Sequence, residues 1–182
     1  MRCFLAISLP DPVLDRLEML AARLPVGRVP PRENLHLTLV FLGDVAEMQA
    51  RDLHLALSEI THPAVEISFA GLDLFGGAKP EILHAAVRPE PGIVHLHDKV
   101  QQAARRSGLE LKRTRFRPHV TLARFNRAPS GEAADRLADF LQANALADIP
   151  GFLAESFSLY RSELGHGPAR HSELACYELG IA

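Results

Sequence analysis

Apolar positions recur along the chain in two rhythms, and each rhythm predicts an element. Arg2 to Leu9 is a short apolar run stopped by Pro10, which reads as a buried strand. Asp11-Pro12 offers an N-cap and a proline at the first helical position. Val13, Leu17, Leu20 and Leu24 then step by four, three and four along an amphipathic helix. A proline-rich loop from Pro25 to Pro31 leads to a second strand, Leu35 to Leu42, ended by Gly43-Asp44. Ala46, Ala50, Leu53, Leu57 and Ile60 mark a second helix. Val65 to Phe75 and Ile82 to Val87 predict a strand pair around a glycine-containing turn. Leu96, Val100 and Ala103 predict a third helix closed by Gly108, and Val120 to Phe125 another strand. Ser130 is the expected cap of a fourth helix carrying Leu137 and Leu141. Phe152 to Leu164 and Leu174 to Leu179 finish as strands. Helices and strands alternate, yet several strand connections suit hairpins, so the expected class is α+β with antiparallel sheets. No glycine-rich phosphate loop follows a strand, which leaves Walker and Rossmann folds without support.

One strand pattern occurs twice. Asn34-Leu35-His36-Leu37-Thr38-Leu39 and Arg117-Pro118-His119-Val120-Thr121-Leu122 each contain His-apolar-Thr-Leu, 83 residues apart. Strand side chains alternate between faces, so His36 and Thr38 share one face and Leu35, Leu37 and Leu39 the other. His119 and Thr121 likewise lie opposite Val120 and Leu122. A single His-x-Thr is ordinary. Two copies half a chain apart predict an internal duplication whose histidines meet as near-symmetric partners across a cleft. Such a pair suits metal-free in-line displacement at phosphorus. One neutral imidazole takes a proton from water while the other, protonated, gives one to the leaving oxygen. The Thr38 and Thr121 hydroxyls would hold the non-bridging oxygens.

Charge sharpens this picture. The 182 residues carry a formal charge of −2, which excludes a wholly polycationic surface. Eight basic residues between Arg105 and Arg127 stand against one acid, Glu110, so that segment is +7 and the rest −9. A basic stretch around His119 inside an acidic chain points to a local anion site. Aromatics make up 6% with no tryptophan, which argues against extensive stacking on bases and for grip on phosphate and backbone.

Histidines also bind metals, and nine are present. There is no HExxH and no Cys/His cluster, and His95 and His97 are two apart on a helix, pointing away from each other. The expectation is no catalytic metal and no cofactor. His54, His62 and His84 read as surface or satisfied core residues, while His166 and His171, near a late turn, could border the cleft. Cys3 and Cys176 make no disulfide framework. The N-terminus lacks a convincing signal peptide and no apolar run spans a membrane, so a cytoplasmic protein is expected.

The two motifs with their flanks, Pro31 to Gly43 and Phe116 to Arg124, resemble the 2H phosphoesterase superfamily. Within it they are most similar to the RNA 2′,3′-cyclic phosphodiesterases, also called 2′-5′ RNA ligases. The opening Arg2-Cys3-Phe4-Leu5-Ala6-Ile7 and the late Phe157 to Leu164 share the likeness. Gly167-Pro168-Ala169-Arg170-His171 departs from it where the family often carries an aromatic, which bears on base stacking and not on phosphate chemistry. The resemblance implies one domain over residues 1–182, bilobal, with two intertwined lobes. It implies two pseudo-symmetric antiparallel sheets flanked by helices around a central cleft, each lobe supplying one motif. It implies hydrolysis of RNA 2′,3′-cyclic phosphate ends to a 2′-phosphate and a free 3′-hydroxyl. A 2′-5′ ligase or a phosphodiesterase on another cyclic nucleotide is the alternative, and a noncatalytic RNA-binding module a weaker one. By motif position, His36 resembles the proton donor, His119 the proton acceptor, Thr38 and Thr121 the phosphate-holding hydroxyls, and Arg124 the cationic phosphate contact. Strand alternation alone places Arg124 opposite His119, so its role requires a bulge or strand end. The expected partner is RNA with 2′,3′-cyclic ends, with no membrane and no obligate protein partner, the chain acting as a monomer.

Overall fold

A computed structural model of the chain describes residues 1–112, 114–165 and 167–180. The elements run β1 (Arg2–Ser8), α1 (Asp11–Ala21), a 3₁₀ turn (Arg32–Asn34), β2 (His36–Asp44), α2 (Glu47–Ser58), β3 (Val65–Ile67) and β4 (Phe69–Phe75). They continue as β5 (Ile82–Val87), α3 (Pro91–Arg106), β6 (His119–Arg124), α4 (Glu132–Asn144), β7 (Phe152–Ala154), β8 (Ser156–Glu163) and β9 (Arg170–Glu178). The order strand-helix-strand-helix-strand-strand therefore occurs twice, with β9 appended. The α+β class holds.

The halves exchange strands. Seven strands follow one another in the order β4-β5-β6-β2-β1-β8-β9, every neighbouring pair antiparallel, and β3 pairs with β7 in a second sheet. β4 of the first half thus lies beside β5 of the second, and β8 of the second beside β1 of the first. At the centre β2 and β6 are registered only through Leu37 and Val120. That narrow join divides the seven strands into a group of four and a group of three, with a motif strand at the inner edge of each.

Two apolar runs read as single strands are each broken once. Val65 to Phe75 splits at Ser68 and Phe152 to Leu164 at Glu155, the equivalent place in each half. The first piece of each joins the small sheet and the second the large one, a choice that depends on distant partners and leaves no local signal. The caps also differ from expectation. Pro10 occupies the N-cap of α1, and Asp11 lies inside the first turn, where its carboxylate meets Arg32 at 2.8 Å. Gly131, at φ 53°, precedes α4 in place of Ser130.

The core lies under the join. Leu37 and Val120 are fully buried, with Leu5, Leu17, Leu96 and Val100. The helices cross over: α1 of the first half touches β6, and α3 of the second touches β2. Among the described residues no helix is long and apolar enough to cross a membrane. Truncating Leu37 removes apolar volume from this junction without touching a polar group. Leu37→Ala is expected to lower stability by about 2–5 kcal/mol in a urea titration, because neither half can close over the space alone.

Candidate active site

Both motif strands obey the same burial code. His36, Thr38, His119 and Thr121 are half-buried on one face, while Leu37, Leu39, Val120 and Leu122 are buried on the other. Antiparallel pairing through Leu37 and Val120 then sets His36 across from Thr121 and Thr38 across from His119. The two histidines are diagonal neighbours, a relation that keeps their β-carbons within about 7–8 Å of each other. The pairing brings two imidazoles and two hydroxyls together on one face of the join.

Each imidazole is oriented in the same way. His36 Nδ1 donates to the Asn34 carbonyl at 2.8 Å, and His119 Nδ1 donates to the Arg117 carbonyl at 2.7 Å. A carbonyl can only accept, so both rings carry their proton on Nδ1 and keep Nε2 for chemistry. The Asn34 carbonyl is itself held, since Asn34 Nδ2 donates to the Ala169 carbonyl at 2.8 Å. Arg32 pins the preceding 3₁₀ turn to α1 through Asp11, Asp15 and Glu18.

Alternation fails one residue past the threonine in each strand, and these two failures match; the β1–β2 register shifts once more, between Cys3 and Phe4, where Leu42 is supernumerary. Between Leu5 and Ala6 the β1–β2 register shifts so that Leu39 is supernumerary; between Leu83 and His84 the β5–β6 register shifts so that Leu122 is. Leu39-Val40 and Leu122-Ala123 are consecutive buried pairs, as a bulge produces. The next residues, Phe41 and Arg124, return to the histidine face. Arg124 therefore lies on the side of His119, meeting the bulge condition that its motif position required. Its strand end is held by paired backbone hydrogen bonds with Arg28, at 2.9 and 3.0 Å. Gly27, at φ +112°, lets that loop pass Phe125, where a Cβ would come within 2.8 Å of the ring.

Neighbouring rings complete each half. His36 stacks on Phe4 at 4.7 Å and stands 5.4 Å from His171, and Phe4 stacks in turn on Tyr160. Phe4, Ser8, Arg32, Tyr160 and His171 line a cavity beside His36. His119 meets Phe75 and His84 edge to face, at 4.8 and 5.2 Å. Three of the chain's eleven Phe and Tyr residues, Phe4, Phe75 and Tyr160, thus lie beside the motif histidines. His84 corrects the sequence reading: it is 2% exposed, but its Nδ1 has no hydrogen-bond partner among the described residues. Its signal was hidden because only the pairing of His84 with Thr121 brings it beside His119. His171 borders the site as expected, and His166 lies outside the described residues. Among the described residues no group of three or more His, Cys, Asp or Glu could hold a metal.

Burial and positive neighbours hold these rings neutral. Burial first, then His171, His119 and Arg124, push His36 down to about 4 against the opposing carbonyl of Asn34. Burial, then Arg124 and Arg117, lower His119 against the carbonyl of Arg117. In nitrogen-15 spectra at neutral pH, both rings are expected to be neutral and protonated on Nδ1. A proton on Nε2 of either would break the proposed geometry.

The family model described as the 2′-5′ RNA ligase superfamily matches residues 9–166. An RNA 2′,3′-cyclic phosphodiesterase of Archaeoglobus fulgidus is 31% identical over 140 residues, covering 74% of this chain and 78% of that one. The protein of the same name from Bacillus subtilis is 26% identical over 183 residues, covering 97% and 95%. The crystal structure of E. coli LigT complexed with 3′-AMP superposes with a TM-score of 0.79 at 25% identity, covering 98% of this chain and 97% of that one.

Proposed function

Because the chain belongs to the 2′-5′ RNA ligase superfamily, we propose that it is an enzyme that hydrolyses the terminal 2′,3′-cyclic phosphate of RNA without a metal, leaving a 2′-phosphate and a free 3′-hydroxyl. The observation that carries this reading is the pair of His-x-Thr strands paired edge to edge, their imidazoles on one face with Nε2 free. The names of the A. fulgidus and B. subtilis relatives support the substrate.

In the proposed reaction, His119 Nε2 takes a proton from water as the water oxygen attacks phosphorus. The bond to the 3′ oxygen breaks in line with that attack, and protonated His36 gives its proton to the departing oxygen. Thr38 and Thr121 donate to the non-bridging oxygens, and Arg124 offsets the charge that gathers there. The proton lost by water and the proton gained by the ribose balance, and each histidine ends in the other's starting state. His171, Phe4 and Tyr160 border the donor side, Arg117 and Arg124 the acceptor side. The protein works in this reading as one domain, and its partner is an RNA end.

The donor must hold a proton that burial and its neighbours repel. The anionic substrate supplies the opposing charge. Binding a phosphodiester raises the His36 value from about 4, so affinity is greatest where the ring can be protonated and falls as pH rises through the bound-state value. A deoxyribose dinucleotide, whose diester keeps one charge throughout, is expected to inhibit more strongly at pH 5 than at pH 8. Inhibition that is flat across this range would remove the charge coupling.

The reading as a whole is tested with an oligonucleotide ending in a 2′,3′-cyclic phosphate, incubated with the protein in EDTA. Turnover is expected, with the phosphate on the 2′ oxygen. His36→Ala and His119→Ala are each expected to lower kcat by about 10²–10⁴-fold with unchanged circular dichroism. Turnover lost in EDTA and restored by zinc or manganese would overturn the mechanism.

A further inference from the structure

His84 is a buried titratable group beside His119 that the reaction above leaves unused. It lies on β5 directly across from Thr121, and its other strand neighbour is Asp73 of β4. Its ring packs flat on Phe75, with centroids 3.9 Å apart and planes 18° apart. His119 stands perpendicular to both, at 89° to Phe75 and 75° to His84. The outer flank of Phe75 is covered by Arg117, whose Cζ lies 4.5 Å from the ring centre and whose guanidinium meets Asp73 at 3.6 Å.

We propose that His84 is a positioning residue for His119: with Phe75 it forms a two-ring wall that fixes the His119 ring edge-on, aims Nε2 into the cleft and keeps water from the ring's flank. The hydrogen bond to the Arg117 carbonyl fixes one end of the imidazole, but rotation about that bond remains open. The perpendicular contact with two stacked rings removes it. Excluding water from the flank also preserves the desolvation that keeps His119 neutral and ready to accept a proton. His84 is itself pushed down to about 4, mainly by burial, so the wall carries no charge near neutral pH. The groups facing His119 are Arg117 and Arg124 of its own segment, Asp73 and Phe75 of β4, His84 of β5 and His36 of β2. All but His84 are untouched by the variants below.

In its catalytic consequence the inference rests on His119 being the base, so the test has a readout independent of turnover. The His119 titration is followed by NMR in the full chain beside kcat and KM on the cyclic-ended oligonucleotide. His84→Ala opens the flank to water. The His119 titration is expected to rise by about one pH unit, the acid limb of the kcat profile to move with it, and kcat to fall about tenfold with KM little changed. His84→Phe restores a flat ring and is expected to keep both the low titration and most of kcat. His84→Gln, similar in size but unable to stack, is expected to behave like the alanine variant and replaces it if that protein does not fold. An unmoved His119 titration in folded His84→Ala or His84→Gln would overturn the proposal. So would a His84→Phe variant as impaired as His84→Gln, since that assigns the role to a nitrogen. If the wild-type protein does not turn over the oligonucleotide, the function proposed above fails, while the titrations still decide the role of His84.

Discussion

The site depends on one strand pairing, Leu37 against Val120, where the inner edges of two strand groups meet. Beneath it both side chains are fully buried. Above it, one residue to either side, stand the two histidines and two threonines. A slip of one residue in either strand would turn that strand's histidine and threonine away and bury them, so the hydrophobic pattern that closes the core also sets the chemistry. The strand exchange reinforces that setting. Because β4 and β8 each complete the other half, neither half can shift without breaking sheet hydrogen bonds, and helices α1 and α3 reach across the same line. Placement errors of about 1 Å cost large factors in rate, which gives a fold joined at a single pair reason to clamp it from several sides.

Duplication supplies the scaffold, and small departures from it supply the difference between the two sides. Both strands bulge at the same step after the threonine, and both return the second residue after the bulge to the cleft face. In one half that residue is Phe41, 64% exposed; in the other it is Arg124. Each motif histidine has an aromatic and a second histidine beside it, but His171 and Phe4 line an open cavity whereas His84 and Phe75 form a closed stack. Arg117 and Arg124 both press on His119, while Arg124 also presses on His36 and Arg32 lines the cavity beside it. Two equivalent imidazoles are thereby given unequal surroundings, as distinct acid and base roles require.

Much of this was legible in the sequence where local pattern decides structure. The four helices, the strand character of the apolar runs, the pairing of His with Thr on one face and the concentration of charge near His119 all follow from spacing. What stayed hidden depends on long-range pairing. The breaks at Ser68 and Glu155 lie inside apolar runs that look continuous, since either sheet accepts such residues. The bulges at Leu39 and Leu122 are two consecutive apolar residues, indistinguishable by composition from an ordinary buried strand, yet they decide where Arg124 points. His84 looks like a core histidine because its own strand is apolar; only the register with Thr121 brings it beside His119. Low aromatic content was a true average and a poor guide to Phe4, Tyr160 and Phe75, because composition carries no positions.

Among the described residues no carboxylate is hydrogen-bonded to either motif imidazole; the Asn34 and Arg117 carbonyls occupy that place. The choice has a consequence for the proposed chemistry. A carboxylate would raise the ring's pKa and favour the imidazolium even in the empty cleft. A carbonyl fixes the tautomer with far less pull on the charge, and burial then leaves both rings neutral while the cleft is empty. In the proposed reaction the anion such a site receives is the substrate. Its phosphate, arriving in that reaction between Arg124 and the two rings, would bring the field that lets one imidazole gain a proton while the other, walled by Phe75 and His84, stays free to accept one. Acid and base are then set apart by the bound phosphate acting on unequal surroundings, and a cleft without its anion holds two bases and no acid.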